Sequence, residues 1–416
     1  MWIGIDDTDS PRGMCTTYLG AVLIRRLLAR GFWLVEARLI RLNPNVPWKT
    51  RGNAAISLEV TGDPDVAFEL ACRSIEDLAD LPAEGTEPGL AVSESKPPVA
   101  FYEKALRSFC EQGEAVELLE AAGAMYRGWK GGRGLIGAAA AIASDLPDST
   151  WELLVYRDPF LWSIPRTIDR GSFFLADAAT TPDTWDTVDR ENDIVVCSPH
   201  TPDPVLFGIR GASPLTVSRA RSFVRTEPPG MEQMYLTNQG TDGHLEEGTI
   251  GELTEGHSYI LGGTVAGRAV TGRGGHVSLD VERGGRGLRC MAYEPTKGFR
   301  DVVRALVPGD RVVLCGSYKG GSLNLEKLHL VEPAGDLHSV SPVCPSCGRR
   351  MTSAGRAKGY KCRRCGSRAA EGMIEDRDRS IRAGWYEVPP SARRHLARPL
   401  IRGEPAQIRG GREISP

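Results

Sequence analysis

Four cysteines late in the chain carry its most specific chemistry. Cys344-x-x-Cys347 and Cys362-x-x-Cys365 are separated by fourteen residues. Thiolates spaced this way each supply two corners of a tetrahedron, so the two pairs predict one Zn²⁺ with four protein ligands, a structural site without an open position. A second group stands at the other end: Asp6, Asp7 and Asp9, in the loop running from Asp6 to Gly13. Carboxylates crowded together repel unless a divalent cation neutralises them, and Mg²⁺ carrying a nucleoside triphosphate is the obvious candidate. Spacing alone fits a solvated acidic turn equally well. Two cationic loops could face such a phosphate. Lys130-Gly131-Gly132-Arg133-Gly134 opens a helix and could cradle phosphate with backbone amides, with Lys130 and Arg133 adding charge. It lacks the Walker A spacing, and an ordinary flexible turn is the alternative. Lys49 and Arg51 could serve phosphate too, or could be plain loop charges. No Gly-x-Ser-x-Gly elbow is present, the seven histidines are dispersed, and Cys15 reads as packing rather than a nucleophile.

These residues need elements to hold them. The apolar run Trp2 to Ile5 reads as a buried strand feeding the acidic loop, and Thr16 or Thr17 can cap a helix through about Arg30, with Gly31 as its stop. Strands follow at Trp33 to Leu42 and Ala54 to Val60, then helices near 65–80, 99–110 and 115–124. The glycine-rich loop opens onto a helix over 135–144, with a strand at Trp151 to Tyr156, loops from Asp158 to Pro204, and a strand at Val205 to Ile209. This is mixed α+β with an inserted or interleaved second unit. From Ser258 to Val331 the pattern changes to five short alternating strands with a helical stretch, Phe299 to Leu306, between the third and fourth. That is the order of an OB-fold β-barrel.

Composition bounds the class. The chain has 416 residues and a formal charge of −2, enough for three or four domains. From Ser341 onward, however, 17 Lys and Arg face 7 Asp and Glu, so this segment is about +10 and the remainder about −12. A basic segment of that size, decorating zinc knuckles and joined by Tyr360, suits RNA backbone and unstacked bases. The six scattered cysteines indicate a reducing compartment, and the start of the chain lacks the pattern of a signal peptide. The expected location is the cytoplasm, with no membrane and no protein partner implied.

Several segments together resemble the archaeal agmatinylcytidine synthetase family: Ile3 to Leu19, Arg41 to Pro44, Lys49 to Asn53, Gly132 to Ala138, Gly208 to Gly211, Thr237 to Asp242 and the terminal ribbon. The resemblance implies a kinase-like α+β catalytic domain with a ferredoxin-like domain, then an OB-fold domain and a zinc ribbon. On that frame residues 1–225 hold the catalytic domain interleaved with the ferredoxin-like one, whose insertion falls at about 62–125. Residues 226–257 connect, 258–335 form the barrel, and 336–416 form the ribbon and basic C-terminal segment. The implied reaction phosphorylates the 2-oxo group of the wobble cytidine in the AUA-decoding isoleucine tRNA, and agmatine displaces the phosphate. The resemblance also implies that ATP ends as AMP and that a threonine matching Thr16 becomes phosphorylated. The implied catalytic residues are Asp6, Asp7, Asp9, Thr16 and Lys130. ATP falls to Lys49, Arg51, Gly132, Arg133 and Gly134, and Mg²⁺ to the three aspartates. tRNA would be gripped at its anticodon loop, acceptor and backbone by barrel and ribbon. For the agmatine guanidinium, Asp169, Asp177, Asp183, Asp186 and Asp189 offer too many carboxylates to choose among. The competing readings are a non-catalytic RNA- or DNA-binding protein and a phosphotransferase acting on another substrate.

Overall fold

The computed structural model describes residues 1–356 and 358–405; the end of the basic segment, 406–416, lies outside the described residues. The first third of the chain folds as β1 (Trp2–Asp6), α1 (Thr16–Ala29), β2 (Trp33–Arg41), β3 (Ala54–Thr61), α2 (Pro64–Leu78), β4 (Gly89–Ser93), α3 (Ala100–Arg107), α4 (Gln112–Ala121), β5 (Met125–Gly128) and α5 (Leu135–Ala143). Then come β6 (Thr150–Arg157), α6 (Arg170–Thr180), β7 (Thr184–Trp185), β8 (Val188–Asp189), β9 (Ile194–Val195), β10 (Val205–Gly211), α7 (Pro214–Phe223) and β11 (Pro229–Thr237). One nine-stranded sheet unites both stretches in the order β5-β4-β1-β3-β2-β11-β6-β10-β7. Its neighbours are antiparallel except β2 and β11, which meet in parallel through Arg38–Leu39 and Leu236–Thr237.

Alternation along the central strands decides what packs where. Ile3, Ile5, Leu58, Leu90 and Val92 point to the face covered by α1 and α2, whose Leu19, Leu23, Leu27, Ala71 and Ile75 are buried there. Each such fully buried large aliphatic side chain contributes about 1.5–3 kcal/mol. The other face carries small residues, Gly4, Ala55 and Ala91, beneath the alanine-rich α5, which α3 and α4 then cover. Close packing follows from this choice: a Cβ on Gly4 would sit 2.2 Å from the carbonyl oxygen of Ala138.

Residues 158–204, expected to be loops, contain the helix α6. Its Phe173, Ala176 and Thr180 are buried at helical spacing, and the Gly, Ser and Asp among them mask the periodicity. The N-cap of α1 is Cys15 rather than a threonine; Asp9 accepts from the Thr16 amide at 2.7 Å and does the capping from a distance in sequence.

After β12 (Leu245–Glu247) a small barrel forms from β13 (Ser258–Val265), β14 (Val270–Thr271), β15 (Val277–Arg283), β16 (Arg286–Ala292), α8 (Phe299–Arg304), β17 (Arg311–Lys319) and β18 (Ser322–Glu332). It closes in the circular order β13-β15-β16-β18-β17, with β16 and β18 parallel. A two-stranded stalk, β19 (Leu337–Val340) with β23 (Met373–Asp376), carries three short strands, β20 (Thr352–Ser353), β21 (Tyr360–Lys361) and β22 (Arg368–Ala369). The chain then returns through β24 (Gly384–Glu387), which adds to β18. Among the described residues no helix is long and apolar enough to cross a membrane.

The α5 contact sets a test. Gly4→Ala should destabilise the sheet domain by about 1–3 kcal/mol or more, because backbone rather than a movable side chain blocks the new methyl. Thermal melts read by circular dichroism would show a lowered first transition; an unchanged one would mean that α5 can move away freely.

Candidate active site

Asp6 ends β1, and the chain turns sharply at Asp7, whose φ of 56° is left-handed. Asp6 lies under α5 so closely that a Cβ on Gly137 would fall 1.8 Å from its Oδ2. Arg133, just ahead of α5, donates from Nη2 to Asp7 Oδ2 at 2.7 Å and to the Gly85 carbonyl at 2.9 Å. Asp9 accepts from the Thr16 hydroxyl at 3.1 Å and lies 3.4 Å from the Arg51 guanidinium. Thr8 donates to Thr16 Oγ1 at 3.1 Å, so the buried threonine hydroxyl sits between two fixed partners.

Burial dominates the electrostatics of this loop. It pushes Asp6 well above the ordinary carboxylate range, and the neighbouring Asp7 charge adds to the push. Asp7 rises to about 7 by burial, against the pull of Arg133. Asp9 is raised by burial too, with Arg51 and the Thr16 hydrogen bonds opposing. Three carboxylates crowded at the end of β1 thus resist ionisation, a penalty that positive charge beside them would relieve. Among the described residues only the four cysteines bring three or more ligand atoms together as a metal site.

These residues open onto a cleft of about 690 Å³ lined by Asp6, Asp7, Asp9, Lys49, Arg51, Arg133 and Gly134, with Trp48 and Phe109 on its apolar side. The sequence-predicted acids, cations and loop glycines are therefore brought together, with two exceptions. Gly132 lies behind the wall, its carbonyl accepting from the Leu135 amide at 3.0 Å. Lys130 does not line the cleft: its Nζ donates to the Ala83 carbonyl at 2.7 Å, and its backbone takes a left-handed φ of 55°. Lys49 lines the cleft while donating to the Val46 carbonyl at 3.0 Å.

A second cavity of about 820 Å³ adjoins the first, and Asp9, Arg51, Gly52 and Ala54 line both. Thr16, Arg41, Glu152, Asp203, Arg210 and His395 are among its polar lining. No motif or spacing marks Glu152, Asp203 or His395, which come from three distant segments. None of the five aspartates between 169 and 189 lines it. Asp177 pairs with Arg190, Asp186 with Arg393, and Asp189 accepts from Ser391. Cys15 also lines this cavity, but burial lifts its thiol to about 12, as fits a packing residue.

In the terminal module the four cysteine sulfurs lie within 4.8 Å of one another. Each pair sits in the same knuckle: the Gly348 amide donates to the Cys344 carbonyl at 2.9 Å, and the Gly366 amide to that of Cys362 at 3.0 Å. Both glycines take the positive φ that the turn requires, 70° and 78°. The donor set fits one tetrahedral Zn²⁺. Arg349, Arg356, Lys358, Lys361, Arg363, Arg364 and Arg368 are exposed around it, with no carboxylate partner among the described residues.

Family models agree with this layout. The TiaS TCKD domain matches residues 2–130, the TiaS FLD domain 132–244, and the TiaS C-terminal zinc ribbon domain 341–381. The chain belongs to the TiaS family. An isoleucine-tRNA 2-agmatinylcytidine synthetase TiaS of Methanocorpusculum labreanum is 50% identical over 403 residues, covering 97% of both chains. The TiaS of Archaeoglobus fulgidus is 43% identical, again over 97% of each. Among solved structures, a complex of TiaS with isoleucine tRNA and ATP superposes with a TM-score of 0.90 at 42% identity, over 97% of each chain. A complex of TiaS with the same tRNA, AMPCPP and agmatine gives 0.87 at 40% identity, over 96% of each.

The raised acids of this TiaS member predict a pH dependence. Between 3.8 and about 7 the folded chain keeps a proton on Asp7 that the unfolded chain has lost. Stability in cation-free buffer therefore falls as pH rises through that window, by up to roughly 1.4 kcal/mol per pH unit, and Asp6 acts with the same sign. Urea unfolding of Asp7→Asn should show a shallower slope; a slope equal to wild type would mean that Asp7 is already ionised at the acid end.

Proposed function

We propose that this chain conjugates agmatine to the 2-oxo position of the wobble cytidine in the AUA-decoding isoleucine tRNA, driven by ATP. The observation that carries the reading is the shared wall: Asp9, Arg51 and Gly52 line both the acid and cation cleft and the adjoining cavity. A phosphoryl donor in one and an amine in the other would meet across it. In this reading the barrel is an OB fold, the β1–β5 part of the sheet is the kinase-like catalytic part, and the part containing β6, α6, β10, α7 and β11 is ferredoxin-like, a division that follows the family-model bounds of 2–130 and 132–244 in place of an insertion at about 62–125.

The chemistry requires two displacements. The cytidine O2 bonds to a phosphoryl group as a phosphoanhydride bond of ATP breaks. The amine nitrogen of agmatine then bonds to C2 while the C2–O2 bond breaks, phosphate leaves, and the nitrogen gives up a proton. Activation is needed because an unmodified base oxygen is a poor leaving group. Asp6, Asp7 and Asp9 would hold Mg²⁺, which neutralises phosphate charge when bound. Lys49, Arg51 and Arg133 line the same cleft and would hold phosphate oxygens, with the Gly134 backbone beside them. The Thr16 hydroxyl, hydrogen-bonded to the Asp9 carboxylate at 3.1 Å, has the arrangement of a phosphoryl acceptor with an adjacent base. Lys130 has a buttressing role, tying the glycine-rich loop to Ala83. Agmatine belongs in the second cavity, where Asp203 and Glu152 supply carboxylates. The target base must leave the anticodon stack to reach this wall, while barrel and ribbon hold the rest of the tRNA through exposed cations.

Incubation with labelled agmatine, ATP, Mg²⁺ and the isoleucine tRNA transcript should transfer label to the tRNA. A transcript with uridine at the wobble position should take none. Asp7→Ala should lower kcat by at least about a hundredfold, the scale on which removing a charge-stabilising group acts. Asp203→Asn should chiefly raise KM for agmatine. ATP and tRNA binding without label transfer would leave the non-catalytic reading standing; ATP turnover without tRNA would favour a phosphotransferase of another substrate.

A further inference from the structure

By charge alone, the arginines beyond the ribbon suggest a surface for RNA phosphate. Four of them, Arg393, Arg394, Arg398 and Arg402, are instead engaged inside the molecule. Arg393 pairs with Asp186 and, at 2.7 Å, with Glu387. Arg394 donates to Asn45 at 2.8 Å and Ser317 at 2.7 Å and lies 3.2 Å from Glu326. Arg398 and Arg402 both pair with Asp148. Backbone bonds fix the path between them: the Gly240 amide donates to the His395 carbonyl and the Asp242 amide to that of Leu396, both at 2.8 Å. The segment is therefore anchored to the loop before β12, to the barrel and to the sheet at once. It delivers one side chain, His395, into the cavity beside the acid cleft.

His395 is held in a defined state there. Arg210 Nη2 lies 2.6 Å from its Nδ1. A guanidinium only donates, so Nδ1 must accept and the imidazole is neutral with its proton on Nε2. Burial and the nearby Arg41 and Arg210 charges favour the same neutral form. The ring lies over Gly52, where a Cβ would stand 3.0 Å from Nε2, at the partition between the two cavities. Arg210 also donates from Nε to Glu152 Oε1 at 3.0 Å, and Arg41 lies 3.9 Å from the same carboxylate.

We infer that His395 is a positioning residue for the amine-binding cavity: it holds the Arg210 guanidinium against Glu152 and the cavity wall, clear of the space a cationic amine must enter. This rests on the agmatine reading of that cavity. Without the acceptor, Arg210 keeps its bond to Glu152 through Nε and its 3.7 Å approach to Asp186 through Nη1, but Nη2 loses its partner and its charge faces the opening, where it repels a dicationic ligand. The ribbon-distal tail is thus part of the small-molecule site and not only of the RNA-binding surface.

The test uses the full chain and separate saturation curves for agmatine and ATP in the label-transfer assay. His395→Ala should raise KM for agmatine by about tenfold, the loss expected for one hydrogen bond to a charged group, with KM for ATP within about twofold of wild type. His395→Asn, whose amide oxygen can stand where Nδ1 stands, should recover agmatine KM to within about threefold of wild type. An unchanged agmatine KM in His395→Ala overturns the inference. So does an equal rise for ATP and agmatine that Asn does not repair, which would mark a merely structural role. If the wild-type chain itself transfers no agmatine, the functional reading falls before the histidine is questioned.

Discussion

Helix α5 approaches β1 and β4 until only glycine and alanine fit between them. A Cβ on Gly89 would lie 2.1 Å from the Leu135 amide nitrogen, and one on Gly134 would lie 2.4 Å from the Gly89 nitrogen. This approach fixes the site, because it places the start of α5, with Arg133 and Gly134, directly over the loop that leaves β1. Larger residues on that face would lift the helix and separate Arg133 from Asp7. The opposite face of the same strands carries isoleucine and leucine and supplies the adhesion that lets this side be thin. Packing density on one face thus makes precise polar geometry possible on the other.

The same closeness sets the electrostatic state of the acids. Asp6 is covered by helix backbone and side chains, and Asp7 and Asp9 each have one guanidinium within reach. Two cations near three carboxylates do not offset the desolvation, which is why all three are raised. The site is kept short of positive charge. Lys130 could have supplied it, and the chain instead turns that residue toward Ala83. Such polar strain at a strand end is characteristic of sites built to receive charge rather than to sit idle.

Much of this is legible in the sequence, and the reasons differ by region. The barrel is readable because its strands alternate and its turns carry glycine, so five strands and α8 stand close to their expected places. The ribbon is readable because cysteine spacing is itself a geometric statement. The acidic loop and its two cationic loops can be named but not joined, since nothing in local periodicity says that residues 6, 51 and 133 meet. β4 and β11 are hidden for a different reason: β4 is a fully buried run of five with no alternation, and β11 begins Pro-Gly. The C-terminal arginines mislead because a charge count cannot tell an ion pair from a free cation. Arg393 finds Asp186 across 207 residues of chain, Arg398 finds Asp148 across 250, and Arg394 finds Asn45 across 349.

The joint between sheet, barrel and returning tail centres on one carboxylate. Asp242, just beyond β11, accepts from Lys327 of the barrel at 2.5 and 2.6 Å and from the Arg398 amide at 2.7 Å. Beside it Glu326 is buried, which alone would raise its pKa, yet His244, Arg394 and Lys327 outweigh that and hold it near 2. Such buried pairs add little over a well-packed apolar contact, but removing one partner strands the other at a cost of about 3–5 kcal/mol. Their effect is therefore one of orientation: the barrel cannot slip along the sheet without stranding Lys327. An enzyme that grips a large RNA with one part and reacts on a single base in another needs that fixed offset between grip and site. The tail that reaches Asp242 is also the tail that places His395, so docking of the barrel and completion of the small-molecule cavity are set by the same few bonds.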